Sequence, residues 1–506
     1  MSLFTKSFLC LILTACATGL VLAEPDETPA ETAWAVNPYS VGEGLTVMRV
    51  HQCGPDVLLN AKDADGKRSL WRATGETTTQ VKYADGSPVV GDWIDFALTG
   101  GYIQSESLFI VESNQDDNYA YGLLVGDTVT RFVDTEGAPT SGRKWFSHTG
   151  DTIIVSPRTE AGSSTSPMSV LLGNVLKPIK DAQGNALECE RCVVDLQPDG
   201  RRLLHAVTFE DEKLSEHRKF WLEGALVVPV PELKLPTDWD DEAEDIRCIY
   251  FKSWTLVVAK GKKSSAAWNL IEGKFEPIVD SDGKPLVHQK MTPELSGDAC
   301  YLFASDPTDD GKHATKGAVY AVSGNKATLL KAPEQFYLGA PHMLDRRGPP
   351  IVLVEVFDNR NTYWYLNGDK FTPILTPDGE IMRAAIILQF WSTPNHSLLR
   401  VRTNKGLFWA ELDGSSATLA CPADNDMWPR YAPFHEVDGE LFYVSGLHKK
   451  QSVSIVKDGA ADIMTFNDGK PLKGSFITSA QAGNKLYLCV IDDDDNYQGY
   501  VVERKK

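Results

Sequence analysis

Ten short apolar runs recur along the chain, and their spacing restricts the fold more than any other feature. VLLNAKD (57–63), SLFIVESN (107–114), TIIVSPR (152–158), RLLHAVTF (202–209), TLVVAKG (255–261), CYLFASD (300–306), IVLVEVFD (351–358), SLLRVRTN (397–404), ELFYVSGL (440–447) and KLYLCVIDD (485–493) begin 43 to 53 residues apart. Runs of this length, rich in Val, Leu, Ile and aromatics and bounded by turn residues, predict buried strands rather than helices. A second strand follows and ends at a glycine in nine units: Gly75, Gly126, Gly173, Gly224, Gly273, Gly324, Gly368, Gly414 and Gly459. A third strand of the KFEPIVD or KFTPILT type comes next. It leads to a corner marked by Gly86, Gly137, Gly184, Gly283, Gly379 or Gly469, and a short leading strand such as RKWFSH completes four strands per unit.

Such units, repeated head to tail with no helical period, predict an all-β protein, a β-propeller of about ten four-stranded blades. The last unit has only three strands and ends at GYVVERKK, while AWAVNP (33–38) precedes the first complete unit. Residues 33–38 are therefore expected to supply the missing strand and close the ring, which removes free sheet edges. The rival arrangement is two smaller propellers in tandem, with DWDDEAED (238–245) as the junction.

The corner IVDSDGKPL (278–286) also tests a calcium reading. A calcium loop of the EF-hand type needs oxygens at positions 1, 3 and 5 and a carboxylate at 12. Counting from Asp280, position 5 is Lys284 and position 12 is Met291, so the stretch reads as a turn. The acidic hairpin loops at Asp63 and Asp65, Asp116 and Asp117, Asp306 with Asp309 and Asp310, and Asp492 to Asp495 read the same way, because Asp hydrogen-bonds its own backbone in turns.

A formal net charge of −19 argues against a nucleic-acid partner, since phosphate backbones are gripped by Lys and Arg. MSLFTK followed by SFLCLILTACATGLVL and Val21-Leu22-Ala23 fits a signal peptide over residues 1–23. Leu13-Thr14-Ala15-Cys16 also matches a lipobox, with Cys16 as the lipidated residue. Either way the chain is expected to be exported: periplasmic, an outer-membrane lipoprotein, or secreted. Residues 24–32 form an acidic leader, residues 33–506 form the propeller, and no later apolar stretch is long enough to span a membrane. Seven cysteines remain beyond the signal, an odd number, and Cys189-Glu190-Arg191-Cys192 is the sole CxxC. It lacks the second pair a closed zinc site needs and reads as a local disulfide or two thiols.

The first unit, SLWRATGETTTQVKYADG (69–86), resembles the ELWxxDG repeat of exported bacterial propeller-like proteins. Leu70, Trp71, Gly75, Thr79, Val81 and Lys82 match it, while Ser69 replaces the glutamate and Ala73-Thr74 the Thr-Asp pair. The resemblance implies a propeller fold and export, and it brings no catalytic residues.

In a propeller, leading strands line the central channel. Here they carry His51, Asp95, His148, Asp195, His342, Asp345, His435 and Glu436. Of these, His148, Asp195, His342, Asp345, His435 and Glu436 are the candidate binding residues, and a converging subset would suit a divalent metal or acid–base chemistry. No G-x-S-x-G elbow and no other nucleophile signature occurs. Trp71, Trp221, Trp268, Trp364 and Trp409 share one register of the second strand, as inter-blade packing requires. The expected role is non-catalytic recognition of a protein or glycan through one ring face, without a resident cofactor. The alternatives are a metal-assisted glycan lyase or hydrolase using the channel residues, and a structural subunit of a cell-surface assembly.

Overall fold

The structure is a computed structural model that describes residues 33–505 apart from a set of loop segments, the longest being 97–108, 331–350 and 423–433. The signal and lipobox residues, His342, Asp345 and the glycines at 368, 379, 414 and 459 lie outside the described residues. No helix occurs among those described, so none is long and apolar enough to cross a membrane. Among the described residues the strands form ten sheets of three or more main strands, antiparallel but for the pairing of Lys82–Tyr83 with Thr128–Arg131, and one two-stranded ladder, Ser166–Pro167 with Glu188–Cys189. The main strands of each sheet come from one sequence unit, joined by a strand from another unit in the second and last sheets. Unit 1 runs Thr46–Cys53, Asp56–Lys62, Arg68–Ala73 and Thr78–Gln80 in simple up-and-down order.

Continuous apolar runs, rather than alternating ones, arise because both faces of each sheet are covered. In Asp56–Lys62, Val57 and Leu59 enter one core with Ala480, Tyr487 and Cys489 of unit 10, whereas Leu58 enters another with Ile94 and Val111 of unit 2. The same division recurs along the chain. Ile154 and Val170 of unit 3 meet Leu204 and Phe220 of unit 4, and Leu256 and Val258 of unit 5 meet Leu302 and Tyr320 of unit 6. Cores therefore sit between sheets, and Trp221, Trp268, Trp364 and Trp409 are buried in them, but not at the one register expected: Trp268 and Trp364 stand opposite Pro277 and Pro373, whereas in unit 4 Phe220 stands opposite Pro229 and Trp221 follows it on the other face.

The corners fasten successive units at their outer edge. Asp280 Oδ1 accepts the N–H groups of Asp282 and Lys284, both at 2.9 Å, and Gly283 takes a φ of 77°, which only glycine adopts without penalty. The turn presents Val279 to the next unit: its N–H donates to Asn325 O at 3.0 Å and its carbonyl accepts from Ala327 N at 2.8 Å. Val133 with Val175 and Lys180 with Leu226 repeat this parallel bridge. Asp280 thus spends its oxygens on a turn, as do Asp63, which accepts from Lys67 N at 2.8 Å, and Asp492, which accepts from Asp494 N and Asn496 N.

Residues 33–38 behave as the sequence requires. Trp34–Pro38 pairs antiparallel with the last strand, Trp34 opposite Arg504 and Pro38 opposite Tyr500, and completes the sheet of unit 10. Trp34 packs edge-on against Phe442 of unit 9 at 5.0 Å between ring centroids, and its indole N–H donates to Glu440 Oε2 at 2.7 Å. All seven described cysteines are free thiols; Cys189 and Cys192 lie in the core between units 3 and 4, and Cys300 and Cys489 are buried in strands.

Removing the Trp34 indole leaves a cavity at the closure, and Trp34→Ala is expected to cost about 3–5 kcal/mol, the range for a buried large aromatic. Urea unfolding monitored by fluorescence and circular dichroism checks this. A loss under about 1 kcal/mol would show that the closing strand carries little of the stability.

Candidate functional site on the inner strands

Leading strands of neighbouring sheets lie against one another: Thr46–Cys53 contacts Phe476–Ala482, Phe434–Val437 contacts Phe476–Ala482, and Lys144–Thr149 contacts Arg191–Leu196. They form the inner edge of the molecule. Register picks out one repeated position on this edge, the residue one step before the last pair of the first hairpin. Gln52, His148, Asp195, Glu436 and Gln481 occupy it, opposite Val57, Ile153, Leu203, Leu441 and Leu486 respectively. Three of the sequence-predicted site residues are therefore equivalent in the fold.

An inner strand has one edge whose backbone groups lack a sheet partner, and buried N–H groups must be satisfied. In the last two units and the first, long polar side chains do this. Glu436 N–H donates to Gln481 Oε1 at 3.1 Å, and Gln481 N–H donates to Gln52 Oε1 at 2.8 Å. Gln52 Nε2 returns a bond to Gln481 O at 2.7 Å and a second to Gly54 O at 2.7 Å. A glutamine suits this task because its amide both accepts and donates. The Glu436 carboxylate continues the line into unit 8. Oε2 accepts from Thr393 Oγ1 at 2.8 Å and Asn395 N at 3.0 Å, and Oε1 accepts from the Asn395 amide. Burial alone would raise its pKa, but these bonds and the nearby His396 hold the carboxyl below its ordinary value.

His435, one residue earlier, is buried with Nε2 hydrogen-bonded to Ser479 Oγ of unit 10 at 2.7 Å. Burial lowers its pKa to about 4, so the ring is neutral in the fold at neutral pH. His51 of unit 1 is lowered to about 3, first by burial and then by Arg49. His435 and Glu436 thus serve the joints between units 8, 9 and 10. His148 lies on its strand at the shared register position, and His342 and Asp345 fall outside the described residues.

Asp195 has different surroundings. Its carboxylate lies 3.3 Å from His205 Nε2, and the other nitrogen of that ring, Nδ1, is hydrogen-bonded to His217 Nε2 at 2.9 Å. The arrangement follows from register. Val193 pairs with His205, His205 with Lys219, and Val207 with His217, so Asp195, His205 and His217 are diagonal neighbours on one face of unit 4. Leu203 and Trp221 on that face pack against Tyr250 of unit 5, and Arg201 stacks over Trp221 at 3.8 Å. The polar half opens to solvent. The imidazole pair was not legible as a site from sequence, because its members stand 12 residues apart on either side of a hairpin.

Two further histidines are held by carboxylates: His288 Nδ1 to Asp306 Oδ2 at 2.6 Å, with Nε2 to Tyr320 Oη at 3.0 Å, and His396 Nδ1 to Glu411 Oε1 at 2.6 Å. Among the described residues no group of three or more His, Cys, Asp and Glu side chains forms a metal-holding cluster.

Burial of neutral His435 makes stability depend on pH. Above the unfolded value of about 6.5 neither state carries the proton; below it the unfolded chain takes up a proton that the buried ring refuses. Stability should fall as pH drops from 6.5 towards 4, by about 3 kcal/mol at most for this group. His435→Gln removes that contribution, so its urea midpoint should fall less than the wild-type midpoint between pH 7 and 4.5. Equal slopes would contradict the assignment.

No family model matches the chain, and no curated protein sequence matches it. Among solved structures it is similar to the β-propeller domain of the Trilobed protease from Pyrococcus furiosus, at 12% identity over 64% of this chain and 97% of that one, with a TM-score of 0.32. It is also similar to a prolyl endopeptidase, at 11% identity over 83% of this chain and 54% of that one, with a TM-score of 0.28. The chain spans about half the length of the latter.

Proposed function

We propose that the chain is an exported, non-catalytic binding propeller whose ten sheets make one ring, and that it recognises a protein or glycan partner through the ring face reached by the inner strand of unit 4. One observation carries the reading. Val193 of that strand is 48% exposed, although its register equivalents Val50 and Phe434 are each 2% exposed. Leu196 is 52% exposed, although its equivalents Val437 and Ala482 are fully buried. Apolar side chains shown to solvent at positions that other units bury are a feature of recognition surfaces. Trp145, on the neighbouring inner strand of unit 3, is 58% exposed and supplies an aromatic of the kind that anchors partners.

The commitment of Glu436 and His435 to inter-sheet bonds supports recognition over acid–base chemistry at their end of the ring, because a carboxylate already accepting bonds from Thr393 and Asn395 is poorly placed to take a proton from a substrate. Export rests on the N-terminal sequence and on the ELWxxDG resemblance of unit 1.

Val193→Ser combined with Leu196→Ser should leave stability within about 0.5 kcal/mol, as for other exposed positions. The same variant should weaken partner retention about tenfold or more, as loss of a central contact does. Capture of envelope and culture-fluid components on the immobilised chain, alongside a glycan array, provides the comparison. Unchanged retention by the double variant would place recognition elsewhere.

A further inference from the structure

We propose that His205 and His217 form a binding site for one divalent transition-metal ion, with Asp195 as the outer carboxylate that orients His205. The site borders the apolar surface invoked for partner recognition, because Val193 pairs with His205, but it stands whether or not that reading holds. Both imidazoles project from the same face of unit 4, on adjacent antiparallel strands, with the rings lying end to end, 5.1 Å between centroids and 28° between planes. The facing nitrogens, His205 Nδ1 and His217 Nε2, are 2.9 Å apart. Two nitrogens bound to a tetrahedral ion at ~2.0–2.1 Å stand ~3.3 Å from each other. A separation of about 0.4 Å, a tilt of the half-exposed rings, and a move of the His217 proton from Nε2 to Nδ1 through solvent therefore bring both lone pairs onto one ion.

The second nitrogen of His205 faces Asp195 Oδ2 at 3.3 Å. A carboxylate on the far nitrogen is the usual backing of a metal-bound imidazole: it fixes the tautomer that leaves the inner nitrogen unprotonated. Paired imidazoles select zinc, copper or nickel over calcium or magnesium, which require oxygen ligands. The electrostatic setting fits a cation with open positions. Lys219, on the same face, donates its ammonium to Ile246 O at 3.0 Å, and Asp245 of unit 5 places a carboxylate near His217.

Calorimetric titration of the chelator-stripped full chain with Zn²⁺ should give one ion per chain. His205→Ala and His217→Ala should each weaken binding 100-fold or more, and Asp195→Asn by roughly 10- to 100-fold, as for other outer carboxylates. His396→Ala should leave binding unchanged. Electron paramagnetic resonance of the wild-type chain with one equivalent of Cu²⁺ is independent of any folding defect in the variants, and it should show two equatorial nitrogens. Absence of uptake, affinity indifferent to both histidine substitutions, or a copper spectrum with fewer than two nitrogens would overturn the proposal.

Discussion

Every sheet in this protein depends on its neighbours to cover it, so the pairing of Trp34–Pro38 with the last strand is the interaction on which the rest relies. A sheet whose two faces are both apolar cannot stand alone in water. The interior sheets of the series have neighbours on both sides by chain order alone, but the first and last do not. Adding the N-terminal strand to the C-terminal sheet places unit 10 against unit 1, and Val47, Val50, Val57 and Leu59 are then buried with Ala480, Ala482 and Val501. One short pairing thus removes two exposed apolar faces and an open sheet edge. The cost is a contact of very long sequence separation, which has to await the rest of the chain.

Satisfaction of backbone groups accounts for the inner and outer edges alike. Outside, Asp-Gly corners turn the chain so that Val279 and its counterparts bridge to the next sheet. Inside, Gln52 and Gln481 cap the unpaired edge of the adjoining inner strand, and Glu436 caps the hairpin loop that follows the next one. These residues look functional in a linear reading because they are polar, recurrent and near the axis, yet their recurrence has a structural cause. Asp195 occupies the same register with its carboxylate beside His205, and the pair of imidazoles next to it is where the inner edge offers chemistry.

The fold was largely legible in the sequence because each unit repeats its own physics. Apolar runs, hairpin glycines such as Gly173 at φ 64°, and corner glycines such as Gly283 all mark strands and turns set by local conformational preference. The closing strand was legible by counting. The roles of the polar residues were not, since whether Glu436 faces a substrate or caps a neighbour depends on the lateral alignment of strands 45 residues apart. A signal did exist: Gln52-Cys53-Gly54 and Gln481-Ala482-Gly483 place the same Gln-x-Gly pattern at the same hairpin, in units whose sheets pack together. The His205–His217 contact needs the pairing of two specific strands, with a register shift between Thr208 and Phe209, which no periodicity reveals.

Closure is best tested on the unaltered chain by native-state hydrogen exchange resolved to the peptides containing Trp34–Pro38 and Tyr497–Arg504. The account predicts that the amides of both strands exchange at one slow rate, set by cooperative opening of the ring, even though one strand lies near the start of the fold and the other at its end. Rapid exchange across Trp34–Pro38, alongside slow exchange in the sheet it is said to complete, would contradict it.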